Sequence, residues 1–247
     1  MERVINSLFK AGLNMPPIFR YLKIPAAVAR WVLQVYQARS SPKGKPIVIL
    51  AQPKSGSTWL ENLLVRACRT NSIMPPGAVL YEQFVGESHS YKPWTSIFCA
   101  VKTKRVVIKL HGGLSDSLEK MLNRLNIKPI ILTRDTDEII ASHLHYVSVT
   151  PFHPQHKISS KKDVDIVMKS MKEDLLKWEK ESKSKGLGLH VTYEELLADT
   201  FSVLEKISNE LNLGLSNKEI IDSVNYNQIG AMKKRSVQSQ FFRGSKF

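Results

Sequence analysis

The chain has 247 residues, 43% hydrophobic and 23% charged, which is the composition of a folded globular protein and excludes disorder as the default. Lys and Arg number 36 against 22 Asp and Glu, a formal net charge of +14, so either an anionic partner or a solvated basic surface is expected. No apolar stretch reaches the ~20 residues that span a bilayer, and the N-terminus lacks the charged-then-apolar order of a secretory signal.

Residues 1–39 read as helix interrupted at Pro16, Pro17 and Pro25. Within them, residues 26–36 (AAVARWVLQVY) are apolar with Arg30 on one side, a pattern that packs on its own domain or makes peripheral membrane contact. Residues 40–44 (SSPKG) form a linker, so residues 1–45 are expected to pack as a helical segment and linker on a domain spanning 46–247. Residues 46–51 (PIVILA) predict a buried strand, 53–57 a turn, and 58–69 a helix with Trp59, Leu60, Leu63 and Leu64 on its apolar face. Residues 71–100 hold Pro, Gly and aromatics without periodicity and read as a loop bordering a ligand pocket. The strand-then-helix pattern recurs at 105–110 and 116–125, then at 128–133 and 136–146. A long charged helix over 161–185 precedes a fourth strand at 187–192, a helix at 193–198, and further helices near 201–211 and 218–223.

Alternating strands and helices predict one α/β domain with a central parallel sheet flanked by helices on both faces. Ligands in such sheets gather at the carboxyl ends of the strands. That rule selects residues 52–58, 109–113, 133–142 and Tyr193. Cys68 and Cys99 form no CxxC pair and read as small buried residues, which suits a reducing cytoplasm. His143 and His145, two apart on a helix, cannot face one metal ion, so no metal site is expected.

Residues 52–59 read QPKSGSTW and join a buried strand to a helix. Gly56 lets backbone approach a ligand closely. The amides of Ser57, Thr58 and Trp59 sit at a helix N-terminus, where the dipole favours anions. Lys54 adds a charge, and the hydroxyls of Ser55, Ser57 and Thr58 add donors. The alternative is a capped helix start beside an unrelated lysine. A Walker A loop is excluded, because its lysine directly precedes the hydroxyl residue, whereas Lys54 stands two positions before Gly56.

At Pro53-Lys54-Ser55-Gly56-Ser57-Thr58-Trp59 the chain resembles the cytosolic sulfotransferase family, whose 5′-phosphosulfate loop reads PKSGTTW. The resemblance implies that Lys54 meets the donor at the scissile bridge, that Ser57 and Thr58 bind its 5′-phosphate, and that Trp59 stacks on its adenine. The family holds the 3′-phosphate with an arginine at a strand end and a serine eight positions later, which matches Arg134 and Ser142. Its catalytic KTHLP stretch is matched at Lys109 and His111, with Gly112 and Gly113 replacing the last two residues. Tyr193-Glu194-Glu195 resembles a segment whose tyrosine touches adenine, and Asn227 falls where the family has a nucleotide-contacting threonine. Phe241-Phe242-Arg243-Gly244 resembles the FxRKG motif that grips the 3′-phosphate, without its lysine.

The implied reaction moves a sulfuryl group from 3′-phosphoadenosine 5′-phosphosulfate to a hydroxyl or amine of a small-molecule acceptor. His111 acts as general base, Lys54 and Lys109 meet developing charge, and 3′-phosphoadenosine 5′-phosphate leaves, with no metal required. Two rivals are a P-loop kinase, for which a Walker lysine is missing, and a nucleic-acid-binding module. The latter would cluster its basic residues with aromatics, whereas here Lys and Arg are spread along the chain.

Overall fold

The computed structural model describes residues 38–73, 101–111, 116–149 and 188–228, with scattered positions at 36 and within 169–186. The expected helices over residues 1–35, the apolar stretch at 26–35, the loop from 74–100 and most of the long charged helix lie outside the described residues, as do Gly112, Gly113, Arg243 and Gly244.

Five parallel strands form the sheet: β1 (Ile47–Ala51), β2 (Ser72–Ile73), β3 (Val107–His111), β4 (Ile130–Thr133) and β5 (Leu189–Thr192). Their order is β2-β3-β1-β4-β5. The helices are α1 (Ser57–Ala67), α2 (Asp116–Arg124), α3 (Thr136–Val149), α4 (Tyr193–Ala198), α5 (Thr200–Glu210) and α6 (Asn217–Tyr226). The chain runs from β1 outward to β2 and β3, then crosses back over β1 to β4 and β5. The reversal places β1 at the centre, with the loop after it at the switch point where such sheets bind ligands.

All five residues of β1 are buried, because both faces of the sheet are covered. Ile47, Ile49 and Ala51 pack with α1, α4, α5 and α6 through Leu60, Leu64, Leu196, Leu204, Ile207 and Ile220. Val48 and Leu50 point the opposite way and pack with Ile108, Leu118 and Leu122. A strand buried on both sides reads as a continuous apolar run, which is why PIVILA shows no polar alternation.

Two features differ from the sequence expectation. The first residues of the expected loop, Ser72 and Ile73, form edge strand β2 on β3. Two residues are too few to leave a periodic signal. The expected strand at 105–110 instead runs through His111, because His111 pairs in register with Ala51. No helix among the described residues is long and apolar enough to cross a membrane.

Candidate active site

The loop after β1 is built from unusual backbone. Lys54 and Gly56 both adopt left-handed conformations, with φ of 64° and 86°. Glycine accepts this freely, whereas a residue with a Cβ is strained by about 1–2 kcal/mol there. The loop is braced at that point: Arg134 Nη1 donates to the Lys54 carbonyl across 3.1 Å. Ser55 is buried and its hydroxyl donates to the Gln52 carbonyl at 2.6 Å, so this side chain closes the turn on itself. Gly56 caps α1 with backbone alone, and no acidic side chain stands in the first turn. The positive end of the helix dipole therefore faces the loop without an acidic counter-charge in the first turn of α1.

Tyr193 and Arg134 form one wall. Tyr193 opens α4 directly after β5, and a capping box fixes that start: Thr192 Oγ1 accepts from the Glu195 amide while the Glu195 carboxylate accepts from the Thr192 amide. The Arg134 guanidinium lies over the Tyr193 ring, 4.4 Å from its centroid. Its Nη2 donates to Glu138 at 3.0 Å, while its buried Nε has no hydrogen-bond partner among the described residues. A Cβ added to Gly56 would come within 2.4 Å of Tyr193 Cδ2, so the loop backbone rests against the ring. Trp59 meets Tyr193 edge to face at 6.0 Å and 66°, and its Nε1 donates to the Asn227 carbonyl at 2.9 Å.

Behind the loop stands a charged cluster. Lys109, on β3, is buried; its ammonium forms a 2.7 Å ion pair with Glu61 of α1 and donates to Thr58 Oγ1 at 3.0 Å. The Ser72 hydroxyl on β2 donates to the same Glu61 carboxylate. Sequence reading passed over Glu61. The available signal was an acid on the helix that carries Trp59, Leu60, Leu63 and Leu64, three positions after Thr58 and hence on that residue's side of the helix.

His111 ends β3 beside the loop, with Nδ1 3.2 Å from the Ala51 carbonyl. A carbonyl only accepts, so this bond puts a proton on Nδ1; in the neutral ring the lone pair then lies on Nε2.

The remaining expected residues are distributed as follows. Ser57 is buried and Thr58 exposed in the first turn of α1. Ser142 is half-buried on α3, the helix that begins two residues after Arg134. Asn227 is 2% exposed, and its amide nitrogen donates to the Asn62 and Ser223 carbonyls at 3.2 and 3.1 Å. Its side chain thus ties the end of α6 to α1, while its backbone carbonyl holds the Trp59 indole. The structure therefore gathers Lys54, Gly56, Trp59, Arg134, Tyr193 and Asn227 into one set of contacts, with Thr58 and Lys109 in a second behind it.

A five-stranded parallel sheet with a strand-to-helix loop at its switch point defines an α/β protein of the doubly wound class. The model of the family described as "Sulfotransferase domain" matches residues 45–243, most of the chain. The chain belongs to that family and is a sulfotransferase. Among solved structures, mouse sulfotransferase SULT7A1 complexed with PAP is similar at a TM-score of 0.56 and 20% identity, covering 83% of this chain and 72% of that one. Retinol dehydratase in complex with androsterone and inactive cofactor PAP is similar at a TM-score of 0.53 and 16% identity, covering 83% and 71%. A second retinol dehydratase structure, with retinol and PAP, gives a TM-score of 0.52 at 16% identity, covering 81% and 70%. These likenesses concern the fold. A sequence comparison with curated proteins finds no significant match.

Proposed function

We propose that this sulfotransferase takes its sulfuryl group from 3′-phosphoadenosine 5′-phosphosulfate and passes it to a hydroxyl or amine of a small-molecule acceptor. The observation that carries the donor assignment is Arg134: a guanidinium beside the loop, stacked on the Tyr193 ring and bonded to the Lys54 carbonyl. Such a group fits a phosphate oxygen, because arginine's fork suits phosphate geometry. Ser142, with Arg243 and Gly244, would complete the 3′-phosphate contacts, and Tyr193 and Trp59 would border the adenine. The loop amides with Lys54, Ser57 and Thr58 would hold the 5′-phosphate. PAP in the neighbouring structures accords with this donor, and androsterone and retinol in two of them accord with a small acceptor.

When bound, the donor supplies an activated sulfuryl group. His111 takes the acceptor proton on Nε2, the nitrogen to which the Ala51 contact leaves the lone pair. Lys54 balances negative charge on the transferring and leaving oxygens, and Lys109 supports the loop from behind through Thr58, so the reading requires no metal. On this reading residues 46–247 are the catalytic domain, and the protein acts in the cytoplasm.

The deciding measurement is a thermal melt with 3′-phosphoadenosine 5′-phosphate, AMP, or ATP and Mg²⁺. A ligand at a hundredfold excess over its Kd adds about 2.7 kcal/mol of stability. 3′-Phosphoadenosine 5′-phosphate should stabilise most, in EDTA as well as in Mg²⁺. Greatest stabilisation by ATP with Mg²⁺ would favour a kinase and sink the donor assignment. Transfer from labelled donor to a panel of phenols, alcohols and amines then identifies the acceptor class.

A further inference from the structure

The Lys109–Glu61 pair poses an energetic question. The two side chains are 7% and 10% exposed, and the ammonium and carboxylate meet at 2.7 Å. Burying two charges costs several kcal/mol per ion, and well-packed apolar residues often replace such pairs without loss of stability. Stability alone therefore gives no reason for the pair. Its location does: the same ammonium reaches the hydroxyl of Thr58 at 3.0 Å, in the first turn of the helix that faces the loop.

The direction of that bond is fixed by chemistry. An ammonium has donors only, whereas a threonine hydroxyl has one donor and two acceptor lone pairs. Thr58 Oγ1 must accept from Lys109, which turns its own proton away from the lysine. Thr58 is exposed while Lys109 is buried, so the proton is directed to the outer side of the loop. Accepting from a cation also polarises the O–H bond and strengthens it as a donor to an anion. Glu61 keeps the ammonium in this place, and Ser72 donates to the same carboxylate from the neighbouring strand.

We propose that Glu61 is a positioning residue for donor binding: through Lys109 it presets the Thr58 hydroxyl as a hydrogen-bond donor to the 5′-phosphate. This rests on the reading that the loop holds that phosphate. Lys109 accordingly works from behind the loop, by way of Thr58, and Glu61 never touches the nucleotide.

The test is calorimetric titration with two nucleotides, 3′-phosphoadenosine 5′-phosphate and adenosine 3′-monophosphate, which lacks the 5′-phosphate. Glu61→Gln keeps the shape and removes the charge. It should weaken binding of the first by about tenfold, the scale of one charge-assisted hydrogen bond, and leave the second within about twofold. In a Thr58→Val background the same change should have no further effect, since the hydroxyl it acts through is gone. The double variant Glu61→Leu/Lys109→Met removes both charges at similar volume, guards against a folding defect, and should show the same selective loss. Equal loss for both nucleotides, an undiminished Glu61 effect in Thr58→Val, or tighter binding by Glu61→Gln would each overturn the proposal. If the unaltered protein does not itself favour the nucleotide bearing the 5′-phosphate, the loop reading fails and this inference falls with it.

Discussion

Gly56 and Tyr193 occupy one another's space so closely that no side chain fits between them: a Cβ on Gly56 would lie 2.4 Å from Tyr193 Cδ2. Gly56→Ala therefore meets two penalties, the steric clash and the left-handed φ of 86°. Together they should destabilise the fold by roughly 1–3 kcal/mol. Tyr193→Leu in the same chain should relieve the clash and leave the backbone strain. A double-mutant cycle in urea would separate the two; strict additivity would mean that the ring is not the obstacle.

The Arg134–Lys54 bond predicts linked kinetic effects. Lys54→Ala removes charge at the transferring group and should lower kcat by about a hundredfold with little change in donor KM. Arg134→Ala should raise donor KM by at least about tenfold, through loss of a charge-assisted phosphate contact. It should also lower kcat, because the left-handed Lys54 loses its brace. Steady-state rates over a donor series would decide, and an unchanged kcat in Arg134→Ala would mean that the brace has no part in turnover.

Cys68 should be inert in the native protein. Burial pushes its thiol up to about 11; the nearby Arg105 charge opposes this in part, and Glu219 adds slightly to it. At pH 8 roughly one thiol in a thousand is ionised, and only the thiolate reacts. In a Cys99→Ser background, iodoacetamide should label the protein rapidly in urea and scarcely at all without it. Fast native labelling would contradict the buried environment.

Acid should loosen the helices after β5. Hydrogen bonds from the Ser202 side chain and amide hold the Asp199 carboxyl below its ordinary 3.8. The Ser216 amide and hydroxyl hold Glu219 below 4.5. Both pKa values are lower folded than unfolded, so their stabilisation is complete above the ordinary values and drains away as pH falls through the folded ones. The melting temperature should decline from about pH 4.5 downward. Asp199→Asn with Glu219→Gln, which keep acceptors without titrating, should flatten the decline; an equally steep curve would assign it to other carboxylates.

Four strands were legible in the sequence because apolar runs bounded by Pro, Lys and Arg have few other readings. Their starts were read one or two residues early: Pro46, Arg105, Lys128 and Leu187 precede strands that begin at Ile47, Val107, Ile130 and Leu189. Residues 52–59 were legible too, since a strand-to-helix turn rich in Gly, Ser and Lys has a recognisable local chemistry. Partnerships between distant segments were not legible. Nothing local in Glu61, Lys109 and Ser72 announces that α1, β3 and β2 bring them to one buried cluster. Nor does Asn227 reveal that its carbonyl holds Trp59, since that contact depends on α6 packing against α1.

The Trp59–Asn227 bond has a consequence for the order in which the protein matures. It joins residues 168 apart, and the neighbouring bonds from Ser223 to Leu63 and from Asn227 to Asn62 span 160 and 165. Such closures carry a large entropic cost and form late. A ribosome that has made only the first four strands has already released the phosphate loop, yet not the helix that anchors the tryptophan behind it. Nucleotide should therefore bind stalled nascent chains only once residue 227 has cleared the exit tunnel, so translation itself times the birth of the site.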